Sequence, residues 1–265
     1  MSAAADRVRA GGLPGLEGRA ALVTGGSRGI GRAVAVLLGR GGARVGVAFR
    51  SRREAAEETL RLVREAGGPD PWSFAADVAL PGDVEALFGE ADRRFGGRLD
   101  VFVGNAGIWN GEDLPIDRLE PAAWREMIET NLTSAYLTTR AAAARMGEGG
   151  RIVLVSSTAG QRGEAGHSHY AASKGAVQAF VKSLAVELGP RGITVNAVAP
   201  GWVDTDMTAD ALGAAERPGI EREIPVRRIA TPEDVAGPVV FLASPLARHV
   251  NGEVLNVNGG SVLCG

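Results

Sequence analysis

Ala20-Ala21-Leu22-Val23-Thr24-Gly25-Gly26-Ser27-Arg28-Gly29-Ile30-Gly31 is the stretch whose reading decides the fold. The apolar run Ala20 to Val23 reads as a buried strand, and the pattern from Ile30 to Gly39 reads as a helix. Between them lies a glycine turn. Glycine lets the backbone turn sharply and approach a ligand closely. The helix start that follows offers unpaired N–H groups and the positive end of the helix dipole, a ready seat for a phosphate group. The spacing is G-x-x-x-G-x-G rather than G-x-G-x-x-G. No Gly-Lys-Ser/Thr occurs, so this is not a Walker loop. A plain tight turn would use the same glycines, and the rest of the chain has to decide between the two.

Working outward, short apolar runs alternate with amphipathic ones. Strands are predicted at Ala20 to Val23, Val45 to Phe49, Trp72 to Ala75, Leu99 to Val103, Ile152 to Val155, Thr194 to Ala199 and Val254 to Val257. Helices are predicted at Ile30 to Gly39, Glu54 to Glu65, Val84 to Phe95, Pro121 to Met146, Tyr170 to Leu188 and Pro232 to Leu242. This alternation implies right-handed crossovers and a parallel sheet of about seven strands with helices on both faces. The near-continuous apolar strands fit a sheet buried on both sides. One doubly wound α/β domain is expected over residues 16–265, preceded by a flexible leader over residues 1–15. Ligands then bind at the carboxyl ends of the strands. Asp204 to Val226 lacks a clean period and reads either as a lid over the pocket or as a surface excursion.

Composition narrows the function. The chain has 265 residues, 45% of them hydrophobic, and a formal net charge of -2, which points to neither nucleic acid nor an anionic membrane as a partner. No apolar run reaches the roughly 20 residues of a membrane helix. Residues 1–15 lack the apolar core of a secretory signal, so a cytoplasmic protein is expected. Cys264 is the only cysteine, and His167, His169 and His249 are the only histidines, so neither an intrachain disulfide nor a Cys/His metal site is expected.

Tyr170 and Lys174 stand four apart in a predicted helix, on one face of it. Of 29 Lys and Arg residues only Lys174 and Lys182 are lysine, and Tyr136 is the only other tyrosine. A lysine is a compact charge with a tunable pKa, whereas arginine stays protonated. A phenol tuned by this cation can act as general acid or base; a surface lysine beside a half-buried tyrosine is the plainer alternative. At the end of the second strand, Phe49-Arg50-Ser51-Arg52-Arg53 stands where an acidic residue would bind the ribose hydroxyls of NAD. Arg50, together with Arg28 in the glycine turn, instead suits a 2′-phosphate, so NADP(H) is expected over NAD(H). The other reading is that Arg50, Arg52 and Arg53 only solvate a helix start.

These residues together resemble the short-chain dehydrogenase/reductase family, across nearly the whole chain after the leader. Thr24 to Gly31 is similar to its T-G-x-x-x-G-I-G loop, Asp77-Val78 to its adenine-contacting pair and Asn105-Ala106-Gly107 to its N-A-G. Asn131 stands at its helix asparagine, and Ser157, Tyr170 and Lys174 at its serine and Y-x-x-x-K. Pro200-Gly201 and Thr205 match its P-G-x-x-x-T stretch, with Val203 between them. The resemblance implies a Rossmann-type fold and cofactor contacts from Gly25, Ser27, Arg28, Gly29, Ile30, Gly31, Arg50, Ser51, Asp77, Val78, Asn105, Ala106, Gly107, Tyr170, Lys174, Pro200, Gly201, Val203 and Thr205. It implies catalysis by Asn131, Ser157, Tyr170 and Lys174. Ser157 would hold a carbonyl oxygen, Tyr170, its pKa lowered by Lys174 and the oxidised nicotinamide, would protonate it, and Asn131 would link Lys174 to solvent through water. His167 and His169 are expected at the rim rather than as bases. Ser156 is set aside because the family serine lies thirteen residues before the tyrosine.

Within the family, the length and the ending Asn251-Gly252-Glu253 through Val257-Asn258-Gly259-Gly260 most resemble the 3-oxoacyl-[acyl-carrier-protein] reductases. That implies an acyl-thioester substrate and docking of an acidic carrier protein by basic residues at the mouth. Arg191 matches one such place; Glu148 stands at the other, where it would repel an acidic partner, with Arg151 nearby as a substitute. The alternative is a free small-molecule carbonyl: a ketone, sugar, steroid or polyketide-like compound. Trp109 and Trp202 flank the expected pocket. A homotetramer is implied by the resemblance, with Ala141 to Ala144, Ala171, Ala172, Ala176 and Ala179 permitting close helix packing.

Overall fold

The computed structural model describes residues 15–263; the leader expected over residues 1–15 therefore falls, save for Gly15, outside the described residues, as does Cys264. Seven strands form one parallel sheet: β1 (Ala20–Thr24), β2 (Arg44–Phe49), β3 (Trp72–Ala75), β4 (Val101–Gly104), β5 (Arg151–Val155), β6 (Thr194–Pro200) and β7 (Val254–Val257). Their order is β3-β2-β1-β4-β5-β6-β7, and every pairing is parallel. The chain leaves β1 toward β2 on one side and comes back beside β1 with β4 on the other. That reversal opens a crevice at the carboxyl ends of β1 and β4, where the glycine turn lies.

Alternate residues of the central strands feed two cores. Ala21 and Val23 of β1 face a layer made by Val34 and Leu38 of α1 (Gly29–Arg40), Leu60 and Val63 of α2 (Arg53–Glu65), and Val235 and Val239 of α9 (Pro232–Ala243). Ala20 and Leu22 face the other side, where Leu87 and Phe88 of α3 (Pro81–Phe95) pack with Val177 and Val181 of α7 (Ser168–Leu188). Each such buried side chain contributes about 1.5–3 kcal/mol, so both faces hold the sheet and leave its strand ends as the place for chemistry. The remaining helices are α4 (Pro121–Ile128), α5 (Ser134–Ala143), α6 (Ala159–Arg162) and α8 (Arg217–Glu223).

Three sequence expectations change. The helix expected from Pro121 to Met146 ends at Ala143 and is interrupted by a π-helical turn, Glu129–Thr133, between α4 and α5. A π turn inserts one extra residue into the ladder and is frequent at functional sites; Asn131 sits in it. The short helix α6 was not expected. The irregular stretch from Asp204 to Val226 contains α8 and packs on a small core of its own, in which Leu212, Ile224 and Ile229 are buried against Trp202 and Ile220.

Candidate active site

The crevice beside β1 is a pocket lined by the glycine turn (Gly25, Ser27, Arg28, Gly29, Ile30), the end of β2 (Phe49 to Arg52), Asp77 and Val78 after β3, Asn105 to Ile108 after β4, and Thr205 to Met207 after β6. Two glycines are demanded by geometry. Gly25 has φ +64°, and a Cβ there would lie 3.0 Å from the Ala106 Cα. A Cβ on Gly31 would lie 2.3 Å from the Gly25 carbonyl oxygen, so Gly31 serves the packing of α1 on the turn rather than the pocket wall. Arg32 donates from Nε and Nη2 to the Ser27 carbonyl at 3.2 and 2.7 Å and fixes the turn from behind. Asn105 donates from Nδ2 to the carbonyls of Thr24 and Gly25 at 3.0 and 3.1 Å, tying β4 to the same turn.

The donors fit a dinucleotide phosphate. No side chain caps the N-terminus of α1, and its first turn carries no acidic residue. Its free N–H groups therefore face the pocket with the dipole uncompensated. Arg50 lines the pocket, is exposed and has no ion pair among the described residues. Arg53 turns away and lies over the Phe49 ring at 6.0 Å. Sequence reading left Arg52 as a helix-start residue, and it passed over Asp206, Met207, Ile108 and Thr130; all five line the pocket. The only signal for them was adjacency to Arg50, Thr205, Gly107 and Asn131.

Ser157, Tyr170 and Lys174 come together from β5 and α7. The Ser157 side chain stands near enough to the Tyr170 hydroxyl to favour its ionised form. Ser156 points the other way: its Oγ donates to the Lys174 carbonyl at 2.9 Å and receives Gln178 Nε2 at 3.0 Å. Lys174 is 6% exposed. Its Nζ donates to the Val155 carbonyl at 2.9 Å and lies 5.8 Å from the Tyr170 ring centroid. A Cβ on Gly107 would stand 3.4 Å from Lys174 Nζ and 3.1 Å from Asn131 Oδ1, so both side chains reach the pocket wall at Gly107. Asn131 is clamped: Oδ1 accepts from the Ile108 N–H at 2.7 Å, while Nδ2 donates to the Ile108 carbonyl at 2.9 Å and to Ser173 Oγ at 3.2 Å.

Electrostatics depart from the expectation that Lys174 lowers the Tyr170 pKa. Burial pushes Tyr170 up to about 12; the Ser157 hydrogen bond opposes this and the nearby Glu164 charge reinforces it. Burial likewise pulls Lys174 down to about 8. Burial is the largest cause for both groups. Tyr170 is therefore a phenol, a proton donor, throughout the neutral range, and Lys174 keeps a proton that leaves easily.

Pro200, Gly201 and Val203 lie beyond the pocket lining, and the Val203 side chain is buried in the core. Trp109 and Trp202 lie outside the lining of this pocket; Trp109 stacks on His167 with ring centroids 5.0 Å apart and meets Trp202 edge-on at 5.8 Å. His167 is buried, with Nε2 against the Asn110 carbonyl at 2.8 Å. His169 is buried with both ring nitrogens unpartnered, and burial lowers its pKa. Burial raises the Glu164 pKa, against the pull of His167, Arg162 and the Trp109 side chain. Among the described residues no group of three or more His, Cys, Asp or Glu could hold a metal ion.

Comparison with known proteins places this geometry. The family model described as Enoyl-(Acyl carrier protein) reductase matches residues 25–261. The 3-oxoacyl-[acyl-carrier-protein] reductase FabG of Vibrio cholerae is 41% identical over 248 residues, covering 92% of this chain and 98% of that protein. The protein of the same name from Escherichia coli is 39% identical over 247 residues, covering 92% and 97%. Among solved structures, a short chain dehydrogenase from Burkholderia cenocepacia in complex with NADP superposes with a TM-score of 0.86 at 38% identity, covering 93% of this chain and 98% of that one.

Proposed function

The chain belongs to the short-chain dehydrogenase/reductase family of oxidoreductases, and on that footing we propose that it uses NADPH to reduce a 3-oxoacyl thioester to the 3-hydroxyacyl thioester. The observation that carries the reading is the meeting of Ser157, Tyr170 and Lys174 beside a pocket wall that continues through Gly107 into the glycine turn. When bound, NADPH supplies the hydride. The uncapped start of α1 holds the pyrophosphate, and Arg50 with Arg28 holds the 2′-phosphate. Ser157 and Tyr170 hydrogen-bond the substrate carbonyl oxygen and orient it. Tyr170 gives its phenolic proton to that oxygen as charge develops there. Lys174, still protonated at neutral pH, stabilises the resulting phenolate and returns a proton to it. Asn131 fixes the wall at Ile108 and holds α7 through Ser173.

The thioester assignment is supported by the relatives' names. A second reading, a free small carbonyl, draws on two observations at the expected carrier-docking face. Glu148 is exposed there. Arg191 spends its Nη2 on the carbonyls of Ala143 and Met146, at 2.7 and 2.8 Å. We also propose a cytoplasmic homotetramer; Tyr136 and Val186, exposed on α5 and α7, and the open edge of β7 supply apolar and hydrogen-bonding surface for it. Among the described residues no helix is long and apolar enough to cross a membrane.

Turnover of acetoacetyl thioester, followed by nicotinamide absorbance with NADPH and with NADH, tests the reading, with a panel of free ketones and sugars run beside it. The proposal expects thioester reduction that is faster with NADPH. Turnover of free carbonyls alone would replace it with the second reading.

A further inference from the structure

Asp206 stands where the cofactor pocket's cations should be free. Its Oδ2 accepts from Arg28 Nη1 at 2.8 Å and from Arg52 Nη1 at 3.3 Å. The three residues come from different loops at the carboxyl edge of the sheet: the glycine turn, the start of α2 and the segment after β6. All three line the pocket. One carboxylate oxygen thus draws together two guanidinium groups at the place where a 2′-phosphate would need them, while Arg50 beside them has no ion pair among the described residues.

We propose that Asp206 is a built-in competitor for the 2′-phosphate subsite, and so a residue that sets how strongly the pocket prefers a phosphorylated dinucleotide. This rests on the NADP(H) reading above. A phosphate brings more charge and more acceptor oxygens than a carboxylate, and guanidinium groups bind it in paired, charge-assisted hydrogen bonds. It can therefore displace Asp206 from Arg28 and Arg52, at the cost of breaking the two existing contacts. These contacts are solvent-exposed, with side-chain exposures of 37% for Arg28, 57% for Arg52 and 58% for Asp206. They are weak and screened by salt, so Asp206 trims the affinity without abolishing it. A ligand without the 2′-phosphate leaves the contacts in place and does not sense them.

The test is calorimetric titration of the full chain and of Asp206→Asn with 2′,5′-ADP and with 5′-AMP, two probes that differ by the 2′-phosphate. Removing two exposed ion pairs is expected to tighten 2′,5′-ADP by about fivefold. The 5′-AMP affinity should be unchanged, and the gain should shrink at high salt. Unchanged or weaker 2′,5′-ADP binding by the variant would overturn the proposal and make Asp206 an orienting partner of the arginines. An equal change for both probes would also overturn it, because the effect would not belong to the 2′-phosphate. If the unaltered protein binds 5′-AMP as tightly as 2′,5′-ADP, the NADP(H) reading itself fails and the proposal falls with it.

Discussion

Replacing Asn131 with alanine separates two roles for this residue. A residue that only relays protons through water would leave the fold untouched when truncated. In the structure Asn131 is 2% exposed and makes a two-way clamp on the Ile108 backbone plus a bond to Ser173 Oγ. Alanine removes all three. At a net worth of about 1 kcal/mol each, the loss is roughly 3 kcal/mol, and more if the Ile108 groups find no water. In a chain of this size that lowers the melting temperature by roughly 6–12 °C. Ser173→Ala leaves the Ile108 clamp in place but removes two bonds, the one from Asn131 Nδ2 and the one from Ser173 Oγ to the Tyr170 carbonyl at 2.7 Å, and should cost about 2 kcal/mol. Thermal and urea unfolding measure both, and an unchanged urea slope would confirm that the folded state is what weakened. Because Ile108 lines the cofactor pocket, the KM for NADPH should rise in Asn131→Ala as well. A melting temperature within about 2 °C of the unaltered protein would refute the clamp.

Two further outcomes follow from the same geometry. Gly31→Ala puts a Cβ 2.3 Å from the Gly25 carbonyl and 2.6 Å from Asn105 Nδ2, so it should cost about 1–3 kcal/mol in overpacking and weaken NADPH binding; wild-type stability and affinity would count against the close fit. Lys174 releases its proton more easily folded than unfolded, so stability should rise with pH between about 8 and its ordinary 10.5, by of order 3 kcal/mol, an increment lost again as pH falls through about 8. Tyr170 holds its proton more tightly when folded, so its contribution is full below 10 and is lost as pH rises toward about 12. Melting curves against pH should show both limbs, and Lys174→Met should erase the first alone. A first limb that survives in that variant would belong to some other group.

The parts legible in the sequence were those set by local pattern. Apolar runs located all seven strands because buried parallel strands need no partner information to be recognised. The glycine turn announced itself because glycine adopts the positive φ of Gly25 without strain and no Cβ fits at Gly31. Ser157 was preferred to Ser156 through the family resemblance, which sets its serine thirteen residues before the tyrosine; the structure has Ser156 facing α7. What escaped was set by tertiary contact. The helical pattern of Pro121 to Met146 carries no mark of the π turn, which comes with the clamp between Asn131 and Ile108. Asp204 to Val226 shows no period because its few apolar residues, Leu212, Ile220 and Ile224, pack as a small cluster rather than along a helix face. The meeting of Arg28, Arg52 and Asp206 spans 178 residues of sequence separation. The rise in the Tyr170 pKa was missed because residue spacing says nothing of burial, and burial outweighs the neighbouring lysine.

Tyr170→Phe, assayed for NADPH-dependent thioester reduction with NADPH binding measured in parallel, decides whether the phenol is the proton donor. Turnover should fall by about 10²- to 10⁴-fold, the usual worth of a positioned general acid, with NADPH affinity kept. Full turnover by the phenylalanine variant would contradict it, because the proton delivered to the carbonyl oxygen would then come from elsewhere.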